Sequence, residues 1–185
     1  MSFTSDIRST TRRYVAMITQ HNQEIADFEK KFATYYSRDV FQQKRNELEN
    51  AKRNTVDAAR NAIQVIVDSY KARVEDMDAL NGAEVTDDAK LLTGAFKLTA
   101  ADLETMYDRA AAGKGNRTME RLISDYAREH DIFIARTFHS AADKLEGAEV
   151  MQRYALNSFD RPEYADIMDN DQYFEQITPA AIKGD

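Results

Sequence analysis

Cysteine and tryptophan are absent, and the 185 residues include only two prolines and six glycines. Without cysteine the chain can form no disulfide framework, no thiolate nucleophile and no thiolate metal site. Both prolines, Pro162 and Pro179, lie near the C-terminus, so no proline ring breaks a helix before residue 162. No apolar run approaches the roughly eighteen residues of a membrane span, and no signal-peptide core opens the chain. The expected setting is cytoplasmic, with no membrane partner.

Histidine is scarce as well: His21, His130 and His139. Three residues before them stand Ile18, Ala127 and Arg136, so the Glu-x-x-His pairs of a di-iron bundle are missing. No His-Glu-x-x-His, no phosphate loop ending in Lys-Ser/Thr and no Gly-x-Ser-x-Gly elbow occurs. Gly113-Lys114-Gly115 shares only the composition of a phosphate loop and lacks the strand that would precede one. The expectation is a protein that is not an enzyme, with no catalytic, cofactor-binding or metal-binding residues, no cofactor and no small-molecule ligand.

What is abundant is helical pattern. Residues are 43% hydrophobic and 31% charged, a mixture suited to extended helices with a narrow core. From Asp39 to Leu80 there is neither Pro nor Gly, and one continuous helix of that length would reach about 60 Å at helical rise. Phe41, Leu48, Val56, Ala59, Ile63, Ile66, Tyr70, Val74 and Met77 mark its apolar stripe. Leu48, Ala59 and Tyr70 are spaced eleven apart, which predicts a nearly straight stripe. Asn81-Gly82 supplies its C-cap.

The preceding stretch, residues 4–36, has the narrower seam of a coiled coil, capped by Thr4 or Ser5. Ile7, Thr11, Tyr14, Ile18, His21, Ile25, Phe28, Phe32 and Tyr35 follow a strict 4,3 spacing, and seven of these nine positions are apolar or aromatic. A break at Tyr35–Asp39 predicts an antiparallel hairpin. Without that break the two helices would make one rod of about 110 Å that needs a second chain. The candidate helix-packing or oligomer seam therefore comprises Ile7, Tyr14, Ile18, His21, Ile25, Phe28, Phe32 and Tyr35 with Ile63, Ile66, Tyr70 and Val74. His21 is read as a residue that hydrogen-bonds across this seam, with a register or pH switch as the sharper alternative.

Shorter helices follow. Thr86 with Asp87 and Asp88 starts one over Ala89–Thr93, closed by Gly94. Thr99 caps Ala100–Ala112, with Asp102 completing a capping box. Asn116 or Thr118 caps a helix to His130, and Asp131 is read as opening a last helix to Asn157 that returns along the hairpin. Its seam is Ile134, Phe138, Ala141, Leu145 and Ala148. The last segment, Ser158–Asp185, has seven acidic residues against two basic ones and spaced aromatics, Phe159, Tyr164, Tyr173 and Phe174. It reads as a terminus tied down by its aromatics, or as an acidic-aromatic peptide for another subunit.

The fold class is thus all-α: a long, coiled-coil-like antiparallel helical hairpin over 1–82, a small bundle of short helices plus a returning helix over 83–157, and an acidic tail over 158–185. Basic doublets at Arg12-Arg13, Lys30-Lys31, Lys44-Arg45 and Lys52-Arg53 make nucleic acid the alternative partner, but Glu24, Asp27, Glu29, Glu47 and Glu49 interrupt them.

One block carries a family resemblance: Thr86-Asp87-Asp88-Ala89-Lys90-Leu91-Leu92, Leu98-Thr99-Ala100-Ala101-Asp102-Leu103, Asn116-Arg117-Thr118-Met119 and Asp125-Tyr126-Ala127. With the long helical stretch before it, the layout of residues 1–130 resembles small helical proteins encoded by tailed phages and prophages of Gram-positive bacteria. The resemblance implies a virion-assembly or head-associated role, such as scaffolding. The implied partners are a second copy of the chain or another virion-assembly protein, in the host cytoplasm or the virion.

Overall fold

The structure is a computed structural model that describes residues 2–32, 35–75, 77, 85–94, 96–112, 115–162, 166–183 and 185. Among them the chain is helical throughout its regular elements, with no strand. The helices are α1 (Phe3–Phe32), α2 (Arg38–Val74), α3 (Ala100–Ala111), α4 (Arg117–Glu129), α5 (Ala141–Asp160), α6 (Asp166–Asp169) and α7 (Asp171–Ile177), with 3-10 turns at Asp87–Thr93 and Ala180–Ile182. Two compact units result, one of residues 1–71 with 145–185 and one of residues 72–144. The compositional boundary at 157/158 falls inside α5, and the one at 82/83, with the Asn81-Gly82 cap, lies outside the described residues.

In the first unit α1 and α2 form the antiparallel hairpin. Contacts climb one helix as they descend the other: Phe3 stacks on Tyr70 at 4.1 Å between ring centroids, His21 meets Thr55 at 3.0 Å, and Phe28 stacks on Phe41 at 5.0 Å. The chain therefore turns between Phe32 and Arg38, and the single-rod alternative is excluded. Ser37 starts α2, its carbonyl accepting the Phe41 N–H at 3.0 Å. At the other end Ser2 is the cap of α1, its hydroxyl accepting the Ser5 N–H at 3.3 Å. Thr4 and Ser5, expected as caps, lie inside the helix. Thr4 is buried instead, and its N–H and hydroxyl both donate to the Asp185 carbonyl.

A third helix lies against the base of the hairpin. Lys71 pairs with Glu149 at 3.2 Å, Gln152 with Gln64 at 2.8 Å and Arg60 with Asp160 at 2.7 Å, so α5 runs antiparallel to α2. α5 thus runs back along the lower part of α2, where the last long helix was expected to return. Phe3, Ile7, Thr11, Val15 and Ile18 of α1, Ala59, Ile63, Val67 and Tyr70 of α2, and Ala148, Met151, Ala155 and Phe159 of α5 are all buried. Residue spacings of three and four on each helix are what a three-helix core requires.

Its start differs from expectation. Residues 131–140 are not helical, and Asp131 sits at φ 54°. There the Ile132 N–H reaches the Ala127 carbonyl at 2.8 Å and the Asp131 N–H reaches Arg128 at 3.3 Å. These are the two bonds of a Schellman motif, which stops α4. Asp131 thus ends a helix where it was expected to begin one, and the buried stripe of the next helix starts later, without Ile134 or Phe138.

The second unit packs α3 on α4. Leu103, Met106, Tyr107, Met119, Ile123, Tyr126 and Ala127 form its core, with Leu91, Leu98, Ile132, Ile134 and Phe138 packed at the margin. Thr99 and Asp102 make the reciprocal capping box, and Asn116 caps α4 by accepting the Met119 N–H at 3.1 Å. Gly94 closes the first turn of this unit at φ 80°, although that turn is 3-10 and not α. Gly113 and Lys114 lie outside the described residues.

Candidate helix-packing and association surface

The seam residues separate into two groups along the hairpin. Ile7, Ile18 and Ile63 are 0% exposed and Tyr70 is 3% exposed. They pack inside the first unit, as α5 and the tail cover them. Tyr14 is half-buried, its ring edge-on to Phe159 at 6.3 Å. Ile66 is half-buried beside the fully buried Val67, which carries the core contact that the apolar stripe assigned to Ile66. Val74 is buried at the C-terminal end of α2.

Higher on the hairpin α5 has ended, and two helices must shelter each other. His21 is half-buried, its Nε2 meeting Thr55 Oγ1 at 3.0 Å and its Nδ1 meeting Glu24 at 3.3 Å. It hydrogen-bonds across the seam as expected. Ile25 is the last buried side chain of α1.

Beyond Ile25 the packing becomes aromatic and open. Phe28 contacts Phe32 at 5.6 Å, Tyr36 at 6.3 Å and Phe41 at 5.0 Å, and Phe32 contacts Tyr36 at 5.5 Å and Tyr35 at 6.4 Å. Phe28, Phe32 and Phe41 are half-buried. Tyr35 is 81% exposed, Tyr36 44% and Val40 41%. Aromatic pairs of this geometry attract beyond their area burial, by about 0.5–1.5 kcal/mol each. They hold the two helix ends together and leave one apolar side facing solvent. Tyr36 and Val40 were not among the expected seam residues. The sign of them was the Tyr-Tyr pair at a turn that has neither Gly nor Pro.

The basic doublets are partly consumed by the fold. Arg12 pairs with Asp169 at 2.5 Å, and the Arg13 guanidinium lies over the Tyr14 ring at 4.7 Å. Lys44 pairs with Glu47 at 2.8 Å, and Arg45 pairs with Glu29 at 2.6 Å and Glu49 at 3.7 Å. The hydrogen bond to Glu47, with its charge, raises the pKa of Lys44 and lowers that of Glu47, and Glu29 does the same to Arg45 as Glu47 does to Lys44. Lys30, Lys31, Arg38, Lys52 and Arg53 make no ion pair among the described residues.

The tail is tied down along α1. Arg8 donates to the Met168 carbonyl at 2.7 Å and the Asp169 carbonyl at 3.0 Å, pairs with Asp171 at 2.5 Å, and lies over the Phe174 ring at 4.7 Å. Phe159 and Phe174 are buried, and Tyr173 is 55% exposed. Tyr164 lies outside the described residues. No helix among the described residues is long and apolar enough to cross a membrane.

The architecture defines an all-α protein built on a helical hairpin. No family model matches the sequence, and no match is found among curated proteins or solved structures.

Proposed function

We propose that this chain is a non-enzymatic structural or assembly protein, scaffold-like and of the phage or prophage type. It acts through helix–helix contacts with a second copy or with another virion-assembly protein. The observation that carries this reading is the aromatic end of the hairpin, where Tyr35, Tyr36 and Val40 stand exposed over the half-buried Phe28, Phe32 and Phe41. Exposed apolar clusters with a polar rim mark contact sites on soluble proteins. Pairing of Arg12, Lys44 and Arg45 with carboxylates of the same chain weighs against nucleic acid as the main partner.

Sedimentation velocity over a range of micromolar concentrations tests the reading, together with co-expression alongside the products of neighbouring genes. The expected outcome is self-association or a stable complex with a neighbouring structural protein. A chain that stays strictly monomeric and binds none of them removes the proposal.

A further inference from the structure

Charge is divided between the two ends of the hairpin unit. Residues 28–48 hold five basic groups against three acidic ones, whereas residues 145–185 hold three basic against nine acidic. At the aromatic end Lys30, Lys31 and Arg38 make no ion pair among the described residues. At the other end Asp169, Asp171, Asp160 and Glu149 are used within the chain by Arg12, Arg8, Arg60 and Lys71. Asp166 on α6 and Glu175 on α7 are exposed, make no such pair, and stand either side of the exposed ring of Tyr173 in the chain.

We propose that the hairpin end of one copy docks on the α6–α7 side of a second copy, so that the chain assembles head to tail. The inference rests on the assembly reading and names its partner and contact. Lys30, Lys31 and Arg38 meet Asp166 and Glu175, and Tyr35 and Tyr36 pack on Tyr173. A chain cannot satisfy its own pair, since from Arg12, beside α6, to Phe32 the helix rises about 30 Å. Meeting end to end through two hairpin tips would oppose like charges, which disfavours a two-fold contact there. A contact between two different surfaces repeats, and gives a ring if the rotation closes or a filament if it does not.

Light scattering on the full chain tests this with two charge-reversed variants, one carrying Lys30→Glu, Lys31→Glu and Arg38→Glu, the other Asp166→Lys and Glu175→Lys. All five positions are on the surface, and helical circular dichroism checks folding. A neutral set, Lys30→Gln, Lys31→Gln and Arg38→Gln, serves if the reversed tip misfolds. The wild-type mass should climb above the 21.1 kDa monomer and past the dimer with concentration, and fall back with added salt as the charges are screened. Each variant alone should lose association, and mixing the two reversed variants should restore it. A tail variant that associates like the wild type overturns the head-to-tail contact and leaves the assembly reading standing. A wild-type chain that never exceeds the monomer mass overturns the contact too, while the assembly reading is then decided by the co-expressed partners.

Discussion

Asp131 holds a left-handed backbone conformation, φ 54°, that L side chains with a Cβ adopt at a cost and glycine adopts freely. It persists because two Schellman hydrogen bonds and the packing of Ile132 beneath α4 over-determine it. Asp131→Gly should therefore stabilise the fold by about 0.5–1 kcal/mol, the relief of strain exceeding the entropy glycine adds to the unfolded chain. Asp131→Val should destabilise by more than that, since a β-branched side chain tolerates this region least. Urea unfolding of both variants checks the pair. A valine variant as stable as the parent would mean that the turn reforms in another conformation. Nothing in the sequence announced this stop. Asp is also a favoured first-turn residue, and without glycine the C-terminal signal of one helix looked like the N-terminal signal of the next.

At the level of elements, legibility followed the local signals. The capping box of Thr99 and Asp102 was readable, and the next cap was narrowed to Asn116 or Thr118, because each is a contact between residues three apart. The hairpin turn was legible as a break at Tyr35–Asp39, with a single rod as the alternative, and the contacts between the two helices decide for the turn. What the sequence could not reveal was which half of the seam would be covered, since Ile7 and Phe28 obey the same spacing and only the placement of α5 separates them. The capping box also yields a pH prediction. Hydrogen bonds from the Thr99 hydroxyl and N–H hold the Asp102 carboxylate below its ordinary pKa. A depressed folded-state pKa adds stability that is present above the unfolded value, about 3.9, and is lost as pH falls through the folded one. The parent should accordingly be more stable than Asp102→Ala at neutral pH, and this advantage should shrink in acid. Thermal unfolding against pH reads it, and an advantage that stays constant into acid would assign the effect to packing. Thr99→Ala should cost about 1 kcal/mol at neutral pH through loss of the same cap.

For the molecule as a whole, the decisive feature is how the hairpin base is closed while its far end stays open. α5 supplies the third helix, and the tail is laid across it through a gap that only glycine leaves. A Cβ on Gly147 would stand 3.1 Å from Ile182 Cγ2 and 3.3 Å from Pro179 Cβ, closer than side chains normally approach. Glycine inside a helix costs about 1 kcal/mol against alanine. Here that cost is offset by the close seating of Pro179 and Ile182, which is followed by the contacts of Asp185 with Thr4 and Tyr70. Gly147→Ala should therefore fail to deliver the helix-propensity gain, because the crowding it introduces cancels it. Gly147→Val, with branches pointing further into the same space, should lift the tail from its seat. Limited proteolysis is the sensitive readout: cleavage within residues 166–183 should accelerate in the valine variant, while α1 and α2 retain their helical signal. If alanine instead stabilises by the full helix-propensity increment and leaves tail cleavage unchanged, then Pro179 and Ile182 yield without penalty, and the tail is held by its other contacts, those of Arg8, Arg12 and Asp185 among them.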